Sequence, residues 1–141
     1  MPVNLDAPYV RFVKQQTKDD CGVCSLAMFF GITYEDALAA SVMATKDSKL
    51  HRRGLYATQL VRIAKQFGVD LVVRRKCDLE STHGLLIVEF PPDKTGNMDR
   101  HVVLVKHGTI YDPNDGTIWD AEAYVDTWSV KITSCIVIKK E

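Results

Sequence analysis

The chain has 141 residues, 46% of them hydrophobic and 26% charged, which suffices to bury one core, so a single domain is expected over 1–141. Its 18 basic residues balance 18 acidic ones, so no global field draws it to nucleic acid or to an anionic membrane. The N-terminus MPVNLDAPYVRFVKQQ has no basic stretch leading into a long apolar one, and no apolar run nears the roughly 18–20 residues that span a bilayer.

The first apolar element is GVCSLAMFFG, apolar almost all the way round, which marks a central buried helix ending at Gly31. TYEDALAASVMA reads as a second helix, with Thr33 as N-cap and acids in its first turn. YATQLVRIAKQFG reads as a third, with Leu60, Ile63, Ala64 and Phe67 at helical spacing and Gly68 as its stop. The period then changes. VDLVVRR, GLLIVEF, HVVLVKHGTIYD and SCIVIKK are short, β-branched and bounded by turn residues, so they read as strands. WDAEAYVDTW between them reads as a short helix. Helices followed by strands indicate an α+β fold with a mainly antiparallel sheet, the first helix packed against it.

The absence of signal and span places the protein in the cytoplasm, where Cys21, Cys24, Cys77 and Cys135 are expected as reduced thiols rather than two disulfides. The basic clusters His51-Arg52-Arg53 and Arg74-Arg75-Lys76 read as solvated charges, with a local anion site as the sharper alternative.

Three chemistries fit the C-x-x-C of Cys21 and Cys24. A redox pair needs a strand feeding the cysteines, and the polar run from Gln15 to Cys21 is none. A zinc site needs four ligands in two close pairs, whereas Cys77 and Cys135 are isolated and His101 and His107 lie in a strand and a turn. The third makes Cys21 a nucleophile at a buried helix start, where the first N–H groups and the helix dipole favour a thiolate, with Cys24 as a small core residue. Its bland rival is that Cys21 is core too.

A nucleophilic thiol needs a base, and the base an orienting group. His51 and His83 sit in polar, looped stretches and His107 at a hairpin turn; His101 opens the strand HVVLV directly after a polar loop. If His107-Gly108 forms a two-residue tip, Val105 faces Ile110, Leu104 faces Tyr111 and Val103 faces Asp112. His101 and Asp112 are then diagonal neighbours on one face, about 7–8 Å apart at Cα and within side-chain reach. A three-residue turn puts Asp112 on the opposite face.

These segments resemble a known family. QQTKDDCGVCSLAMFFG looks like the catalytic segment of the bacteriocin-processing cysteine peptidases, family thirty-nine of the papain-like superfamily, through Gln15, Asp20, Cys21, Gly22, Leu26 and Met28. HVVLVKHGTIYDPNDG matches that family's second signature through His101, Asp112, Pro113 and Gly116. GLYATQLVRIAKQFGV looks like the helix between the two motifs, and Cys24 stands where the family commonly has Ala. The resemblance implies a papain-like α+β fold, with Cys21 as nucleophile, His101 as base, Asp112 as orienter and Gln15 as oxyanion donor. It implies a peptide or protein substrate, small residues such as Gly before the cleaved bond, and no cofactor or metal. The best-known members are fused to a transporter; this chain shows no membrane segment and no G-x-x-x-x-G-K loop, so a stand-alone peptidase is expected. A catalytically silent peptide-binding domain and a transglutaminase-like acyl transferase remain as alternatives.

Overall fold

A computed structural model describes residues 3–5, 9–17, 19–49, 55–92, 99–114 and 116–139. The cluster His51-Arg52-Arg53 lies outside them.

Helix α1, Cys21–Phe30, has all ten residues buried. A helix this short is marginal by itself, so burial holds it, each enclosed Leu or Phe side chain contributing about 1.5–3 kcal/mol. It stops at Gly31, whose φ of 66° is a left-handed conformation. Helix α2, Tyr34–Thr45, begins as expected: the Thr33 side chain accepts from the Asp36 N–H, with Glu35 and Asp36 in the first turn. The chain bends by 114° between the two helices, and among the described residues no single helix is long and apolar enough to cross a membrane. Helix α3, Ala57–Lys65, buries Leu60, Ile63 and Ala64. The Tyr56 N–H donates to the Gln59 side chain at 2.8 Å and closes its first turn.

Six strands follow: β1 Leu71–Arg74, β2 His83–Glu89, β3 Arg100–Lys106, β4 Thr109–Asp112, β5 Thr117–Asp120 and β6 Lys131–Ile138, with α4, Ala121–Trp128, before the last. They form one sheet in the order β1-β6-β2-β3-β4-β5, every neighbouring pair antiparallel. β2 and β3 sit centrally and are covered on both faces, which explains their unbroken apolar runs. On one face Leu85, Ile87, Val102, Leu104 and Ile136 pack with α1, α2 and α3 residues. On the other, Leu86, Val88, Val103, Val105, Ile110 and Cys135 pack with Ala121 and Tyr124 of α4. Among the described residues, four helices on a six-stranded antiparallel sheet make the α+β fold that was expected.

Three expectations need correction. β5 carries no strong apolar alternation and went unread; it exists because Thr109 to Asp112 offer it a free edge. His83 is not in a loop: it opens β2, half-buried, its ring 4.9 Å from that of Phe29 in an edge contact. The cysteines are not all reduced. Cys77 and Cys135 form a disulfide across a Cα–Cα distance of 6.3 Å, within bridging range. Because Cys135 pairs with Arg74 across β1–β6, the chain leaving β1 passes directly beside it. A sequence separation of 58 hides that proximity.

Candidate active site

The N-terminus of α1 and the start of β3 bring together the residues that the motifs singled out. Cys21 is 7% exposed, and its Sγ accepts a hydrogen bond from the Val102 N–H at 3.4 Å. One turn on, the Ser25 hydroxyl donates to the Val102 carbonyl at 3.0 Å. Helix α1 thus grips both backbone groups of the residue after His101. That fixes the helix start against the strand start, and with it the spacing of thiol and imidazole.

The β3–β4 turn is the two-residue one: Leu104 pairs with Tyr111 and Val105 with Ile110. His107 and Gly108 both take positive φ, 47° and 86°, as a tight hairpin whose twist matches its strands demands. His101 and Asp112 therefore share a face, and His101 Nε2 lies 2.6 Å from Asp112 Oδ1. With the carboxylate accepting, Nε2 carries the proton and Nδ1 faces away from Asp112. Cys21, whose Sγ meets the N–H of the next residue, Val102, also enters the ring's charge balance.

The electrostatics follow from this arrangement. Burial disfavours the imidazolium, but the hydrogen bond to Asp112, the neighbouring Cys21 and the Asp112 charge outweigh it, and His101 is pushed up to about 10. Asp112 is 5% exposed. Burial would raise its carboxyl, yet the His101 hydrogen bond and charge, the Asn114 N–H and the Tyr124 hydroxyl together hold it below the usual carboxylate range. Cys24 behaves differently: burial first, then the charges of Asp20 and Cys21, push its thiol far up.

Gln15 is half-buried and Gln16 exposed. The Gln15 backbone N–H donates to the Pro113 carbonyl at 2.8 Å, tying this segment to the residue after Asp112. Its carboxamide Nε2 donates to the Thr17 carbonyl at 2.9 Å, while Oε1 is buried without a partner. Nε2 keeps a second N–H beyond the one directed at Thr17.

Three contributors escaped the sequence reading. Tyr124, fully buried on α4, donates its hydroxyl to Asp112 Oδ2 at 2.9 Å; a Tyr within a helix carries no sign of its partner. Ser25 left a faint signal as the polar residue of an apolar helix. Asp20 was noticed only as part of a motif. Rather than cap α1, it turns back, its Oδ2 accepting from the Gln16 and Thr17 N–H groups at 3.0 and 3.2 Å and from the Tyr34 hydroxyl at 2.8 Å. It anchors the loop that carries Gln15. Burial and the hydrogen bond to Asp20 push the Tyr34 phenol well above its ordinary range.

Elsewhere, Arg74 and Lys76 line a cavity of about 490 Å³ with His83 and His107, at the far end of β3 from His101. Cys21 and Cys24 are both free thiols. Among the described residues no three His, Cys, Asp or Glu side chains gather as metal ligands do.

A buried helix whose start meets a strand of an adjoining antiparallel sheet is the arrangement of the papain-like class. The model of the Peptidase C39 family matches residues 9–135. The chain belongs to that family. Among solved structures it is similar to a double glycine motif protease from an AMS/PCAT transporter, solved in complex with the leader peptide, at 19% identity and a TM-score of 0.62, covering 99% of this chain and 98% of that one. A second likeness is the peptidase domain of Streptococcus mutans ComA, at 19% identity and a TM-score of 0.48, covering 92% of this chain and 98% of that one. No curated protein sequence matches the chain.

Proposed function

We propose that the protein is a cysteine peptidase working through Cys21, His101 and Asp112, with Gln15 as an oxyanion donor. The observation that carries this reading is the His101–Asp112 hydrogen bond at 2.6 Å, one residue from the Val102 N–H that holds the Cys21 Sγ. In the proposed reaction the Cys21 thiolate attacks the carbonyl carbon of a peptide bond. The oxyanion that forms faces the Cys21 N–H, one of the first-turn donors a helix leaves unused, and the second N–H of Gln15 Nε2. His101, as imidazolium, gives its Nδ1 proton to the leaving amine as the C–N bond breaks, leaving a thioester on Cys21. Water then attacks the thioester while His101 takes up its proton; the acid departs and the thiolate returns. No cofactor enters these steps.

A peptide substrate is supported by the family and by the neighbour solved with its leader peptide. We propose Gly or Ala immediately before the scissile bond. Mass spectrometry of a peptide library incubated with the wild type and with Cys21→Ala in 18O water tests the reading. The expected result is Cys21-dependent cleavage after small residues with one heavy oxygen in the new carboxylate. Cleavage surviving in Cys21→Ala overturns the nucleophile, a preference for bulky or basic residues overturns the substrate, and products lacking heavy oxygen point to acyl transfer.

A further inference from the structure

Beside His101 runs a row of aromatic rings that the proposed chemistry does not use. The Phe90 ring lies 6.2 Å from the His101 ring, centroid to centroid. Trp128 follows at 6.3 Å from Phe90, edge-on at 79°, and Trp119 at 6.1 Å from Trp128, at 73°. Three elements supply these rings. Phe90 ends the β2 side, held by its N–H donating to the Asp99 carbonyl at 2.8 Å. Trp119 sits on β5, its indole N–H donating to Thr117 Oγ1 at 2.7 Å. Trp128 closes α4.

A lone exposed aromatic at a helix end calls for no explanation. This row differs in two respects. Its rings are fixed edge-to-face against one another, the favourable aromatic arrangement, so the surface is rigid. It is also continuous with the imidazole and still open: Trp128 is 43% exposed, and Phe90 and Trp119 are half-buried.

We infer that Phe90 and Trp128 form the subsite for the residue after the scissile bond, and that this subsite selects a large apolar side chain. The inference rests on the peptidase reading and names the leaving half of its substrate. The geometric reason lies in the reaction. The acyl half of the peptide stays bonded to Cys21, whereas the amine half departs past the group that protonates it. That group is His101, so the first residue of the leaving half must lie beside the imidazole at the moment of transfer. The ring next to the imidazole is Phe90, and Trp128 extends the same apolar wall. A Leu or Phe at that place covers the wall and removes it from water; a Gly leaves it wet, and an Asp strands a charge on it.

The test compares peptides identical except for Leu, Gly or Asp after the cleaved bond, with the wild type, Trp128→Ala and Trp128→Phe. The wild type should favour Leu over Gly about tenfold in kcat/KM, as one apolar side chain in a partly open pocket allows. That ratio should fall toward one in Trp128→Ala and return in Trp128→Phe. Robust cleavage with equal rates for the three wild-type substrates overturns the inference while leaving the peptidase reading intact. So does an equal loss on all three in Trp128→Ala, which would make Trp128 a support of the fold. No cleavage of any peptide by the wild type overturns both.

Discussion

His101 and Asp112, separated by 11 residues, meet at 2.6 Å because a two-residue turn puts both on one face of the β3–β4 hairpin. Burial disfavours a charged imidazole, but Asp112 together with Cys21 outweighs it, and His101 is raised to about 10. The imidazolium that protonates the leaving amine in the proposed reaction is then present below that pH and lost above it. The alkaline limb of kcat/KM should fall near pH 10, and in Asp112→Asn it should move down by about 1–3 units, as losing an adjacent opposite charge does. Because the folded value is raised, the stability this charge contributes is complete below about pH 6.5 and disappears as pH rises through about 10. Identical alkaline limbs in the two proteins would remove Asp112 from the scheme.

Tyr124 positions Asp112 from behind. Removing its hydroxyl leaves Asp112 Oδ2 without the donor that meets it at 2.9 Å in the core. Tyr124→Phe keeps the ring and its packing while removing the hydroxyl. It should cost about 1–3 kcal/mol in urea denaturation and lower kcat more than it changes KM. Unchanged kcat with reduced stability would make Tyr124 structural only.

Gln15 and Gln16 should separate cleanly. Gln15 is half-buried and tied through its N–H to Pro113, while the exposed Gln16 meets Asp20 through its backbone alone. Gln15→Ala should lower kcat about a hundred- to a thousandfold with folding and thiol labelling intact. Gln16→Ala should do little. Equal, mild effects would mean that backbone N–H groups alone hold the oxyanion.

The four cysteines should divide into two classes. Cys77 and Cys135 are bridged, so denatured, unreduced protein should show only Cys21 and Cys24 as thiols. In the folded state, limiting iodoacetamide at about pH 6 should reach Cys21 first, since Cys24 is fully buried and its thiol pushed up. Labelling of Cys24 first, or a ready Cys21–Cys24 disulfide, would revive a redox role.

Much of the molecule was legible in the residues because its signals are local. The apolar run from Cys21 to Phe30, the Thr33 cap and the helical spacing of Leu60, Ile63 and Ala64 each act within a few residues. The hairpin register followed from His107-Gly108, since turn length alone sets which side chains share a face. Through that register, His101 and Asp112 could be placed together before any packing was known.

Contacts between distant segments left no comparable trace. Tyr124 reaches Asp112 only because α4 lies over the sheet face that carries His101. Cys77 reaches Cys135 only because β6 inserts between β1 and β2. Asp20 drew notice only within a motif, yet its Oδ2 gathers the Gln16 and Thr17 N–H groups and the Tyr34 hydroxyl. A hydrogen bond or a disulfide depends on where two groups stand in space, and sequence periodicity reports only which face each residue presents. Local pattern therefore specified most of the elements and the hairpin that pairs His101 with Asp112; the packing of α1, α4 and β6 around that hairpin chose the partners that hold them.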